Sequence, residues 1–98
     1  MAKAKAKSEA KGLEKFVGSE VVVDTATPIV YIGRLEEVDE SFLTLADCDV
    51  HDTTEGSSTK ELYCIEAKKH GVKKNRARVK VRQPFVVSVS LLEDVIEY

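Results

Sequence analysis

Tryptophan is missing from this chain, methionine occurs once, and three tyrosines and three phenylalanines are the only aromatics. A core without large rings has to close with aliphatic side chains. Here valine dominates, a residue whose branched Cβ favours strands. Cysteine occurs only as Cys48 and Cys64. They lack the CxxC spacing of a zinc or redox motif. With no secretory context they are expected to be reduced and partly buried, not bridged. No apolar run is long enough for a signal peptide or a membrane span. The expectation is a cytoplasmic protein that engages no membrane. There is no P-loop, dinucleotide fingerprint, HExxH helix or nucleophile–base spacing. No enzyme activity and no cofactor are expected.

The 98 residues are enough for one domain with one core. The net charge of −2 conceals a segregated pattern. Residues 1–15 carry five lysines against two glutamates, and residues 36–61 carry nine acids against Lys60. Residues 68–82 carry eight lysines and arginines and no acid. So dense a basic block is a candidate electrostatic footprint for nucleic acid. The competing reading is a solvated segment that balances the acids nearby.

Residues 1–7 are low-complexity and basic, and are expected to form a disordered tail. Residues 8–98 are expected to form the single domain. Ser8 caps a short helix whose Leu13, Phe16 and Val17 make one apolar stripe and which stops at Gly18. Strands are expected over Glu20–Thr25, Ile29–Val38 and Phe42–Asp47. Ala26-Thr27-Pro28 and Asp39-Glu40-Ser41 are the turns between them. Gly33 sits inside a strand pattern, where it costs stability unless the strand bends or another backbone comes close. A polar loop then leads to Ser58-Thr59-Lys60-Glu61, an S-x-x-E capping box. It predicts a helix over 59–70 closed by Gly71, with a strand from Leu62 to Ala67 as the alternative. Phe85–Ser90 alternates as a strand, Leu91-Leu92-Glu93 is a tight connection, and Asp94–Tyr98 reads as the last strand. The fold class is mainly β: a five-stranded antiparallel, SH3-like barrel with an N-terminal helix. A long helix-containing insertion, residues 49–82, separates strands three and four.

Leu13–Gly18, Val21-Val22-Val23 and the run from Tyr31 through Gly33 and Leu35 to Val38 and Asp39 follow one another in a familiar order. The chain resembles the Sm/LSm/Hfq family, as a divergent bacterial-type member, through this first Sm motif. The second motif has two placements. Val87–Ile96 leaves a complete barrel whose last strand ends with the chain, and is preferred for that reason. Val79-Lys80-Val81-Arg82-Gln83 instead follows the apolar-x-Ile-Arg-Gly pattern, with Gln83 in the glycine's place and Pro84 after it. In that family RNA bases are gripped by the turn after the first motif's Asp, usually with an Asn nearby, and by an Arg-Gly or Lys-His pair in the second motif. Here the turn Asp39-Glu40-Ser41-Phe42 has no Asn. The preferred second placement offers Ser90-Leu91, without a basic group, and Glu40 and Glu93 repel phosphate.

The resemblance implies a ring-forming binding module, a homo-oligomer that is a hexamer or heptamer by analogy. RNA is the expected partner, held by Lys68, Lys69, Lys73, Lys74, Arg76, Arg78, Lys80 and Arg82 in the insertion rather than at the usual pore site. Phe42 adds a ring on which a base can stack, though it also fits a core position. The alternative is a protein–protein scaffold of the same barrel, docking a partner through the acidic segment 36–61 and the helix. Asp47, Asp49 and His51 alternate along an extended segment and are the one cluster of metal-capable groups. Turn-forming aspartates account for them without an ion, and no metal is expected.

Overall fold

The computed structural model describes residues 12–55 and 59–97. The expected tail at 1–7, the Ser8 cap and Ser58 lie outside the described residues. Five strands form one antiparallel sheet: β1 (Glu20–Thr25), β2 (Ile29–Val38), β3 (Phe42–Asp52), β4 (Arg76–Arg82) and β5 (Val86–Leu91). Their order in space is β4-β3-β2-β1-β5. One helix, α1 (Lys60–His70), lies in the connection from β3 to β4. Strands β1 and β2 have the bounds that their apolar alternation predicts, and the mainly-β fold with a helix before β4 is as expected. The sheet is not closed within the chain: β4 and β5 are its two edges.

Several boundaries differ from the sequence reading. β3 runs on to Asp52, and Arg76–Arg82 pair with it from Phe42↔Arg82 to Cys48↔Arg76. The connection is therefore 53–75, not 49–82. Its basic half became a strand because Val79 and Val81 pack against the main core while the even-numbered residues face solvent. A 3₁₀ turn at Gln83–Phe85, with Pro84 in its first turn, joins β4 to β5. Pro84 thus stands at the corner between β4, which pairs with β3, and β5, which pairs with β1. Hence Val79–Gln83, the placement not preferred, occupies the fourth-strand end. Asp94–Tyr98 is not a strand among the described residues. Leu92–Asp94 form a 3₁₀ turn, and Val95 packs with α1.

Two irregularities in the β2–β3 register, between Ile32 and Arg34 and between Leu35 and Glu37, bend the pair. At the first, Asp47 takes a φ of 49°, a left-handed conformation that a short polar side chain tolerates. Gly33 lies opposite, where β3 comes too close for any side chain.

The sheet buries both faces. On one, Val21, Val23, Leu35, Leu43, Leu45, Cys48 and Val81 form the main core, with Leu13 and Phe16 from the N-terminal turn packed on it. On the other, Val22, Val30 and Ile32 meet Ala67 of α1 and Leu92. Thr59 caps α1, its Oγ1 accepting from the Leu62 N–H at 3.1 Å. The Gly71 N–H closes the helix onto the Ala67 carbonyl, at a φ of 89° that favours glycine. Lys60 anchors the helix start: its Nζ donates to Asp24 Oδ1 at 2.6 Å, the Thr25 carbonyl at 3.0 Å and the Thr27 carbonyl at 2.7 Å.

Candidate nucleic-acid interface

The turn after Val38 is built by its own aspartate. Asp39 Oδ1 accepts the backbone N–H groups of Ser41 and Phe42, each at 2.8 Å. The Asp39 N–H in turn donates to the Phe42 carbonyl at 3.0 Å. Those two backbone donors hold the Asp39 carboxyl below its ordinary value of 3.8, with Lys80 adding a smaller pull. The corner between β4 and β5 docks on this turn. The Gln83 N–H donates to the Ser41 carbonyl at 2.9 Å, and Gln83 Nε2 donates to the Asp39 carbonyl at 2.9 Å. The β3–β4 register sets Phe42 opposite Arg82 and Thr44 opposite Lys80. Lys80 Nζ stands 5.7 Å from the centre of the half-buried Phe42 ring, within cation–π range. One patch thus holds an aromatic face, an ammonium, an exposed guanidinium and a polar turn.

The basic residues expected to act together fall into three places. Lys68 and Lys69 close α1 and are tied to the C-terminal segment: Lys68 Nζ donates to the Val95 carbonyl, and Lys69 lies 4.0 Å from Glu97. Lys73 and Lys74 lie in the connection beside α1. Arg76, Arg78, Lys80 and Arg82 alternate along β4. Of these, Arg76 donates to the Asn75 carbonyl at 2.9 Å. Arg78 forks onto Glu36 at 2.8 and 3.3 Å. That contact lowers the Glu36 carboxyl and raises the Arg78 guanidinium. Only Lys80 and Arg82 reach the Asp39–Phe42 turn.

Asp47 is not brought together with Asp49 and His51, which both meet Tyr63. Asp47 pairs with Arg34 Nη1 at 2.9 Å, which lowers its carboxyl. Asp49 is buried facing α1, accepting from the Tyr63 hydroxyl and from Asn75 Nδ2 at 2.8 Å. Burial, then the Asp49 carboxylate, pushes the Tyr63 phenol up. The His51 ring stacks on Tyr63, centroids 3.9 Å apart and planes 4° from parallel. Among the described residues no three His, Cys, Asp or Glu side chains are placed to share a metal ion, and no helix is long and apolar enough to cross a membrane.

Sequence reasoning missed Gln83, Tyr63 and Asn75. Gln83 had a signal, since it stood where the Arg-Gly pattern has its glycine. Tyr63 and Asn75 had none, because their shared partner Asp49 is 14 and 26 residues away.

No protein-family model and no curated protein matches the chain. Solved structures do. The Sm protein of Pyrococcus abyssii, solved with a uridine heptamer, superposes with a TM-score of 0.57 at 18% identity over 83% of this chain and 93% of that one. The SmAP (LSm) protein of Methanococcus vannielii gives 0.55 at 21% identity over 83% and 90%. A chain of the NatC complex bound to CoA gives 0.54 at 20% identity over 81% and 82%. With five strands in one antiparallel sheet, a bent second strand and these likenesses, the chain has the Sm-like fold.

Proposed function

We propose that this protein is a non-enzymatic module that binds single-stranded RNA and assembles with copies of itself into a ring. The observation that carries the reading is the docking of Gln83 on the Asp39 turn. It gathers Phe42, Lys80 and Arg82 from two strand ends that are forty residues apart in sequence. An aromatic face offers stacking to any base, and neighbouring cations answer the phosphates. The uridine heptamer bound to the Pyrococcus abyssii protein supports the nucleic-acid class. The contact moves from the expected insertion as a whole to Lys80 and Arg82 of β4, at the junction of the two turns. Glu40 in the same turn keeps the patch weakly charged, so moderate affinity is expected at physiological salt.

Assembly follows from the edges. β5, Val86-Val87-Ser88-Val89-Ser90-Leu91, carries no charge, and Val87 is 65% exposed. An uncharged, unpaired edge strand invites pairing, and β4 is the complementary free edge. β4 of one copy joined to β5 of the next makes a head-to-tail contact that closes into a ring, a hexamer or heptamer by resemblance.

The test is a salt titration of an oligouridine against the purified protein. Phe42→Ala weakens binding by about five- to a hundredfold, since stacking is worth roughly 1–3 kcal/mol per base, and Arg82→Ala weakens it through the lost phosphate contact. Arg82→Ala also flattens the salt slope by about one. No binding at low salt overturns the proposal. The second reading, a protein scaffold of the same fold, is supported by the likeness to a chain of the NatC complex. It gains if freshly purified protein carries no nucleic acid and neither substitution alters a retained protein partner.

A further inference from the structure

The Asp39–Phe42 patch lies at one end of β3, and a second recess lies at the other. Between α1, the far end of β3 and the connection into β4 is a cavity of about 700 Å³, lined among others by His51, Tyr63, Glu66, His70, Lys73 and Lys74. Its size suits a small organic ligand, for which pockets of roughly 300–1,000 Å³ are usual. Nothing in the proposed RNA-binding reading uses it.

Its walls differ in chemistry. One side is flat and aromatic: Tyr63 and His51 lie ring on ring, and His51 Nε2 is buried with no hydrogen-bond partner. The floor is fixed. Asn75 bridges Asp49 Oδ1 and the backbone N–H and carbonyl of Val50, while the Tyr63 hydroxyl takes the other Asp49 oxygen. Glu66 is exposed, with the His70 imidazole 3.5 Å away, and Asp49 is already answered from within the chain by those donors. The cations are not. Lys73 and Lys74 are exposed and form no ion pair with a carboxylate among the described residues, although Lys74 is near enough to Asp47 to help lower its pKa. An anionic group is therefore drawn to the Lys73–Lys74 rim, and a planar ring is matched by the aromatic wall.

We propose that this cavity binds a nucleotide, phosphate on Lys73 and Lys74 and base against the Tyr63–His51 wall. That nucleotide is either free or the terminal residue of an RNA. The site is separate from the Phe42 patch and stands or falls without it.

The experiment titrates UMP, AMP and inorganic phosphate into the full chain, following amide shifts of residues 63 and 70–75 by NMR. The expected result is saturable binding of a mononucleotide that moves these amides. Lys73→Gln with Lys74→Gln weakens it about tenfold or more, as loss of charge-assisted hydrogen bonds does. Both lysines are exposed, so the double variant keeps its fold. If mononucleotides fail, a 5′-phosphorylated oligouridine is tested in a Phe42→Ala, Arg82→Ala background. Binding there that the lysine substitutions abolish assigns the ligand to an RNA end. Phosphate alone binding as well as the nucleotides overturns the base-binding half. The whole proposal falls if no probe responds to the lysine substitutions.

Discussion

A Cβ placed on Gly33 would stand 2.4 Å from the Cys48 Cβ, 2.9 Å from the Cys48 Cα and 3.1 Å from the Ala46 carbonyl oxygen. Two of those three neighbours are backbone, which cannot rotate away. The glycine lets β3 bulge into β2 at Asp47. Gly33→Ala is therefore expected to destabilise the fold by about 1–3 kcal/mol, the range for overpacking a close-packed core. Urea unfolding reads it. In a Cys48→Gly background the cost shrinks but persists, because the Cα and the Ala46 oxygen stay. An unchanged midpoint for Gly33→Ala would mean that the bulge shifts freely.

Gln83→Ala removes the side-chain donor to the Asp39 carbonyl and leaves the backbone bond from Gln83 to Ser41. The lost hydrogen bond costs about 0.5–1.5 kcal/mol. RNA affinity should fall with it although Gln83 need not touch a base, because the turn that presents Phe42 loses half its anchorage to β4. Unfolding and oligouridine binding measured side by side test this. Full affinity in a destabilised variant would separate the anchor from the site.

Much of the sheet was legible because its first two strands are apolar runs bounded by turn residues. Val21 and Val23, then Tyr31, Gly33 and Leu35, give β1 and β2 their bounds without help. β4 was obscured for the opposite reason. Arg76, Arg78, Lys80 and Arg82 fill its solvent face, and only Val79 and Val81 mark the other, too short a signal beside so much charge. β3 looked finished at Asp47 because a polar run follows. The bulge there, and the burial of Asp49 under Tyr63, depend on residues distant in sequence. The expected grouping of the basic residues followed from both boundaries. With the second motif placed on Val87–Ile96, Arg82 and Gln83 were separated from the turn that they touch.

Lys60 shows how a single surface cation can hold an element. Its three contacts tie the first turn of α1 to the β1–β2 corner. Lys60→Met keeps the stem and deletes the ammonium. Hydrogen bonds to charged groups are worth about 1.5–3 kcal/mol when well formed, and partial exposure brings the expected loss to roughly 1–2 kcal/mol. Amide exchange should accelerate in α1 and at Thr25–Ile29 before it does in β2. Uniform acceleration across the sheet would show that Lys60 acts on global stability alone.

Acid sensitivity separates the two kinds of carboxylate contact. Asp39 is lowered from 3.8 by backbone donors, whereas Glu36, ordinarily 4.5, and Asp47, ordinarily 3.8, are lowered by arginines. A carboxylate with a depressed folded pKa contributes stability that is fully present above its unfolded value. That contribution is lost as pH falls through the folded one. The urea midpoint should therefore begin to drop below about pH 4.5 and keep dropping past pH 3.8. Salt distinguishes the sources. Exposed ion pairs are screened at 1 M, so the Glu36 and Asp47 share of the slope flattens. The Asp39 share persists, since its donors are backbone N–H groups in the same turn. Asp39→Asn keeps an acceptor oxygen but cannot ionise, and reduces that residual slope in high salt, leaving the share of Asp52, which the Thr54 hydroxyl and N–H lower in the same way. An Asp39→Asn protein with the wild-type acid slope in 1 M salt would place the ionic contribution elsewhere, and the turn would then rest on Gln83 and the strand register instead of on its own carboxylate.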